Sequence, residues 1–140
     1  MICIFSQKTL WILVILWCIV IFGLTALPSF TATNTGIVIE QATHAPTNQL
    51  NPLNMITRKA AHITLFGVLA LLLFNATKYN TFLSFVLATI YGASDEWHQM
   101  FVPNRTPLLS DVAIDSTGVL LTLVAASLWF HFKNKQKNLS

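Results

Sequence analysis

Apolar residues in this chain come in long blocks separated by short polar stretches. The first block, about residues 10–27, is nearly unbroken (LWILVILWCIVIFGLTAL), with Lys8 before it and Pro28 after it. A second covers about 60–77, opened by Arg58-Lys59 and closed by Lys78; a third covers 82–100 and a fourth 112–132. Blocks of this kind predict membrane-spanning helices, whereas strict alternation would predict half-buried strands. A crossing helix needs about 20 residues, which forces the third span to carry Asp95, Glu96 and His98 in its last turns. The expectation is an all-α polytopic membrane protein, four transmembrane helices in a small bundle, forming a single domain over 1–140. The polar loop 28–57, rich in Thr, Asn, Ala and Pro, has few side chains to bury and is expected to lie loosely over the bundle. Within it, Gly36-Ile37-Val38-Ile39 is short and apolar enough to dip into the membrane interface, and His44 is expected to be solvated.

Composition supports the membrane class. Of the 140 residues 54% are apolar and only 9% charged, against roughly 25% charged in soluble domains, and the mean hydropathy is +0.63. The net charge of +3 does not point to nucleic acid, because the basic residues sit at span ends with no basic face or aromatic platform. Three of them, Lys133, Lys135 and Lys137, cluster near the C-terminus. The first apolar run is longer than a signal-peptide core and no A-x-A site follows it, so it reads as a span. Cys3 and Cys18 would stand about 22 Å apart on one helix, too far for a disulfide, which needs Cα atoms within about 7 Å. They read as packing or lipid-facing residues.

Charge then sets a direction. With both termini cytoplasmic, the inner side holds Lys8, Lys78, Lys133, Lys135 and Lys137, and the outer side Arg58, Lys59 and Arg105. The excess of positive residues inside favours that orientation. All five acidic residues (Glu40, Asp95, Glu96, Asp111 and Asp115) then fall on the outer side, together with His62 and His98.

Helical phase aims these groups at one another. In the third span Ser84, Ala88, Gly92, Asp95 and Gln99 form one stripe, with Glu96 at its edge. The matching stripes are Asp111, Asp115, Gly118, Thr122 and Ala125 in the fourth span, and Lys59, His62, Phe66 and Ala70 in the second. Small residues spaced by four allow close helix approach, so the three seams are expected to meet and gather their charged ends. The candidate binding residues are Lys59, His62, Asp95, Glu96, Gln99, Arg105, Asp111 and Asp115. Charges inside a span are costly and are seldom placed there without a task. Asp95 beside Glu96 calls for protonation, a bound cation, or tight pairing with Arg or Lys. The plainer alternative is hydrogen-bonding glue between helix ends, with Asp111 capping the fourth helix.

The same residues resemble the VanZ-like family of small bacterial membrane proteins. Arg58-Lys59-Ala60-Ala61-His62 is similar to its Lys-x-x-His motif. Asp95-Glu96-Trp97-His98-Gln99-Met100-Phe101-Val102-Pro103-Asn104-Arg105 is similar to Asp-Glu-x-x-Gln-x-Phe-x-Pro-x-Arg. Asp111, Asp115 and Gly118 follow the third signature, and the resemblance covers nearly the whole chain. Leu65 and Phe66 stand where the family often has an acidic residue and Tyr, and Asn104 where it commonly has Gly. The resemblance implies a cell-envelope protein, and its founding member is associated with reduced susceptibility to teicoplanin.

Three function classes follow. The first is recognition of a membrane lipid head group, or of a lipid-linked envelope precursor, in an outward polar pocket where Lys59 and Arg105 contact an anionic group. The second is a metal-dependent hydrolase or head-group transferase using His62 or His98 with Asp95, Glu96 and Asp115. The third is proton or ion transport, which the polar-poor inner halves of the spans disfavour. No zinc-type Cys spacing or glycine-rich phosphate loop occurs, so neither a cofactor nor a metal is expected.

Overall fold

The computed structural model describes residues 6–26, 32–43, 47–102 and 109–137, and these form five α-helices and no strand. They are α1 (Gln7–Ala26), α2 (Ala32–Thr43), α3 (Thr47–Ala76), α4 (Thr81–Gln99) and α5 (Leu109–Lys137). Helices α3, α4 and α5 pack against one another; α1 lies against α3 and α4, and α2 against α3. The core between them is built from Phe66, Leu69, Ala70, Leu73, Ala88 and Leu123, among others.

The four expected spans require correction. Among the described residues three helices are long and apolar enough to cross a membrane: Gln7–Ala26, Pro52–Ala76 and Ser110–Gln136. Helix α4 has 19 residues, about 28 Å at 1.5 Å per residue, close to the roughly 30 Å of a hydrocarbon core. Its length is sufficient, but Asp95-Glu96-Trp97-His98-Gln99 fills its last turns and makes it too polar as a whole.

The loop expected over 28–57 is largely helical. Residues 32–43 form α2, and α3 begins at Thr47, about thirteen residues before the apolar block. Hydropathy is blind to a helix held by packing and not by apolar content. Here Thr35 donates to the Asn54 side chain at 2.6 Å, tying α2 to α3, and Asn54 is buried. Ile37 and Val38 are exposed on α2. His44 and Cys3 lie outside the described residues, and Cys18 is a half-buried free thiol packed on the core.

The predicted stripe of α4 is its buried face: Ser84, Ala88, Gly92, Asp95 and Gln99 are all buried, joined by Glu96. On α5 the prediction drifts. Asp115, Gly118 and Thr122 turn inward, but Ala125 is exposed and the buried face continues through Val119 and Leu123. Helices α3 and α5 approach closely through glycines. A Cβ on Gly118 would lie 3.1 Å from the Ile63 side chain, and one on Gly67 would lie 3.1 Å from the Thr122 hydroxyl.

The turn from α3 to α4 is tight. Lys78 and Tyr79 both adopt left-handed backbone (φ 58° and 67°), and the Tyr79 amide donates to the Phe74 carbonyl at 2.7 Å, which closes the C-terminus of α3. Asn80 then caps α4, its side chain accepting from the Leu83 amide at 3.0 Å.

Candidate functional site

The polar residues gather at the opposite end of the bundle, where α1 ends, α4 ends and α5 begins. Two separate arrangements occupy it.

The first is centred on Asp95. Its carboxylate accepts from the Thr25 hydroxyl of α1 at 2.7 Å and from the Gln99 side-chain amide at 2.6 Å. Asp95 is only 3% exposed, and Gln99 and Glu96 are buried beside it. Trp97 faces outward at 68% exposure, so this segment has a polar inner face and an aromatic outer one. His98 stacks on Phe22 with ring centroids 3.9 Å apart. Its Nδ1 is buried with no hydrogen-bond partner among the described residues. A buried carboxylate accepting two donors from other turns fastens helices together, since hydrogen bonds to a charged group contribute roughly 1.5–3 kcal/mol. Asp95 therefore joins α1 to α4 and holds the wall in place.

The second arrangement lies between α3 and α5. His62 Nδ1 stands 3.3 Å from an Asp115 carboxylate oxygen. Asp115 is 5% exposed, and His62 also stacks on the buried Phe66. These two residues border a pocket of about 180 Å³ with Arg58, Lys59, Ser110 and Asp111. Among the described residues neither Arg58 nor Lys59 forms an ion pair. Both cations are thus available to a ligand, and the His62–Asp115 contact lines the same pocket.

Of the sequence-predicted site residues, the structure brings Lys59, His62, Asp111 and Asp115 around one pocket. Asp95, Glu96 and Gln99 form the neighbouring buried cluster. Arg105 lies outside the described residues. Two contributors were not singled out from sequence. Arg58 sits one residue outside the α3 stripe, and only its place in a pair of consecutive cations marked it. Thr25 is a lone hydroxyl at the end of an apolar run, and nothing local announces that it meets Asp95, 70 residues away.

A larger cavity of about 450 Å³ adjoins the polar pocket. Arg58 and His62 border both spaces. Among the described residues the rest of the cavity wall comes from α1, α2 and α3, with Leu24, Ala61 and Leu65 included. Among the described residues no three His, Cys, Asp or Glu side chains converge as ligands for a metal ion.

Three apolar helices, with Asp95, Glu96, Asp111 and Asp115 at one end of the bundle and Lys8, Lys78, Lys133 and Lys135 at the other, define a multi-pass α-helical membrane protein. The chain belongs to the VanZ/LLP1 family, whose family model matches residues 10–130. No curated protein and no solved structure matches it.

Proposed function

We propose that this is a cell-envelope membrane protein whose pocket between α3 and α5 recognises the phosphate-bearing head group of a membrane lipid or of a lipid-linked surface precursor. The observation that carries this reading is the pair of cations, Arg58 and Lys59, standing without ion-pair partners among the described residues beside the part-buried His62–Asp115 contact. Two cations at the mouth of a pocket attract an anion, and Arg offers the fork geometry that suits phosphate oxygens. Asp111 and Ser110 add acceptors on the other wall for hydroxyl or ammonium groups of the same head group. Asp95, Glu96 and Gln99 position that end of the bundle, and Arg105 belongs to the same site by its place in the family motif. Both termini are cytoplasmic in this reading and the pocket faces outward, in accord with the bias of basic residues.

The test is binding of phosphatidylglycerol by the purified full-length protein. Lys59→Ala and Arg58→Ala should each weaken binding without lowering the melting temperature. Unchanged binding in both variants refutes the reading. Reporter fusions to the C-terminus test the orientation, and a periplasmic signal would reverse it. A change in teicoplanin susceptibility on expression in a sensitive host would extend the family phenotype to this chain.

The His62–Asp115 contact favours one second reading, general acid–base chemistry on the bound head group, because a carboxylate that orients an imidazole is the arrangement such chemistry uses. It requires turnover of a lipid head group by the purified protein that is lost in His62→Gln.

A further inference from the structure

The larger cavity is bordered by four threonines, yet it is a hydrocarbon space. Each threonine hydroxyl donates inside the protein: Thr25 to Asp95 at 2.7 Å, Thr35 to Asn54 at 2.6 Å, Thr57 to the Leu53 carbonyl at 2.9 Å, and Thr64 to the Ala60 carbonyl at 2.8 Å. With the hydroxyl protons engaged, the threonines offer the cavity mainly methyl groups, alongside Leu24, Ala61 and Leu65. The space is half open along the side of the bundle, with Thr57, Ala61 and Thr64 exposed, and a wall with so few free polar groups favours apolar guests. Among the described residues, the Arg58 and His62 side chains stand where the cavity meets the polar pocket.

Depth along α3 orders the two spaces. The polar pocket draws on Met55, Arg58, Lys59 and His62, whereas the cavity continues to Thr64 and Leu65, nearly a turn further into the apolar stretch of the helix. Its volume of about 450 Å³ lies within the roughly 300–1,000 Å³ of small-molecule sites.

We infer that this cavity holds one hydrocarbon chain of the phosphate-bearing lipid whose head group occupies the adjoining pocket. The inference rests on the head-group reading for the charge of the ligand, and on the cavity alone for its chain. The bilayer surrounding these helices supplies such chains at saturating concentration. Moving a chain from bilayer to protein gains little hydrophobic free energy, because lipid tails are already apolar. The head group therefore selects the ligand, and the cavity restricts it to molecules with a chain that fits between α1, α2 and α3.

The experiment is photolabelling of the full-length protein in nanodiscs. One probe is phosphatidylglycerol with a diazirine near the end of an acyl chain; the other is diacylglycerol carrying the same chain. Adducts are mapped by mass spectrometry, with Leu121 on the exposed face of α5 reporting contact with bulk lipid. The expected result is phosphatidylglycerol labelling of Leu24 and Leu65 that falls several-fold in Ala61→Trp while the Leu121 adduct is unchanged. Should Ala61→Trp fail to fold, Leu24→Phe fills the same space from the other helix. Cavity labelling undiminished by a folded filling variant overturns the inference, whatever Lys59→Ala does. Equal cavity labelling by the two probes, still lost on filling, refutes the head-group reading and leaves the chain site standing.

Discussion

At the end of the bundle where α3 turns into α4, polar groups are satisfied mostly by neighbours in sequence. Thr77 and Ser84 share a hydrogen bond at 2.8 Å, Ser84 also donates to the Asn80 carbonyl, and Asn80 caps α4. Tyr79 fills the remaining space, stacked on Phe130 at 4.1 Å. From α1, Gln7 reaches over to the Ala76 carbonyl. At the other end the partners come from far along the chain: Thr25 with Asp95, 70 residues apart, and His62 with Asp115, 53 apart. That end also holds the pocket and the cavity, with Arg58 and Lys59 at their borders. One end is closed mainly by the local geometry of the α3–α4 turn, with Gln7 of α1 and Phe130 of α5 packed onto it. The other is assembled by tertiary contacts and leaves room for a ligand. The bundle thus keeps a tight turn at one end separate from an open end assembled across the chain at the other.

That separation can be broken by substitution, and the largest effect is expected where the open end is fastened. Asp95→Ala removes the acceptor of the buried Gln99 amide and cuts the link from α1, although the Thr25 hydroxyl keeps the Ile21 carbonyl at 2.9 Å. It should cost about 3 kcal/mol, read as a lowered thermal midpoint in detergent, with Asp95→Asn recovering part of it. A wild-type midpoint in Asp95→Ala would mean that the carboxylate serves a ligand and not the fold.

Between the two ends, Gly118→Leu forces side-chain atoms into Ile63, already 3.1 Å from where a Cβ would stand. Overpacking of this kind should destabilise by roughly 2 kcal/mol, and unchanged melting would show that α3 and α5 separate easily. At the closed end, Asn80→Ala removes the cap of α4 for about 1 kcal/mol. Lys78→Gly should act in the opposite sense, stabilising by roughly 0.5–1 kcal/mol, because glycine adopts the left-handed conformation at position 78 without strain. The smallest stability effect belongs to Lys59→Ala, within about 0.5 kcal/mol, since Lys59 has no ion pair to lose among the described residues. It should nonetheless weaken lipid binding, and a large fall in melting temperature would place Lys59 in the scaffold.

The part of the site that could be read from the chain was the part that depends on a single helix. Period and residue size marked Ser84, Ala88, Gly92, Asp95 and Gln99 as one face of α4, and that face is buried. The same reasoning drifted on α5 at Ala125, because which face is buried there depends on where α3 and α4 happen to lie. It could not foresee α2 or the first turns of α3 either, since their content is polar and their order comes from packing and from the Thr35–Asn54 bond.

By itself the sequence determined the class, the apolar helices, the family, and which residues carry charge into a hydrocarbon setting. These follow from composition and from a 3.6-residue period, both local properties. Only the tertiary structure decided that Asp95 fastens α1, that His62 meets Asp115, and that a cavity bordered by four threonines presents methyl groups. Each of those depends on which atoms from distant segments come within about 3 Å of one another, a distance that neither hydropathy nor helical phase encodes.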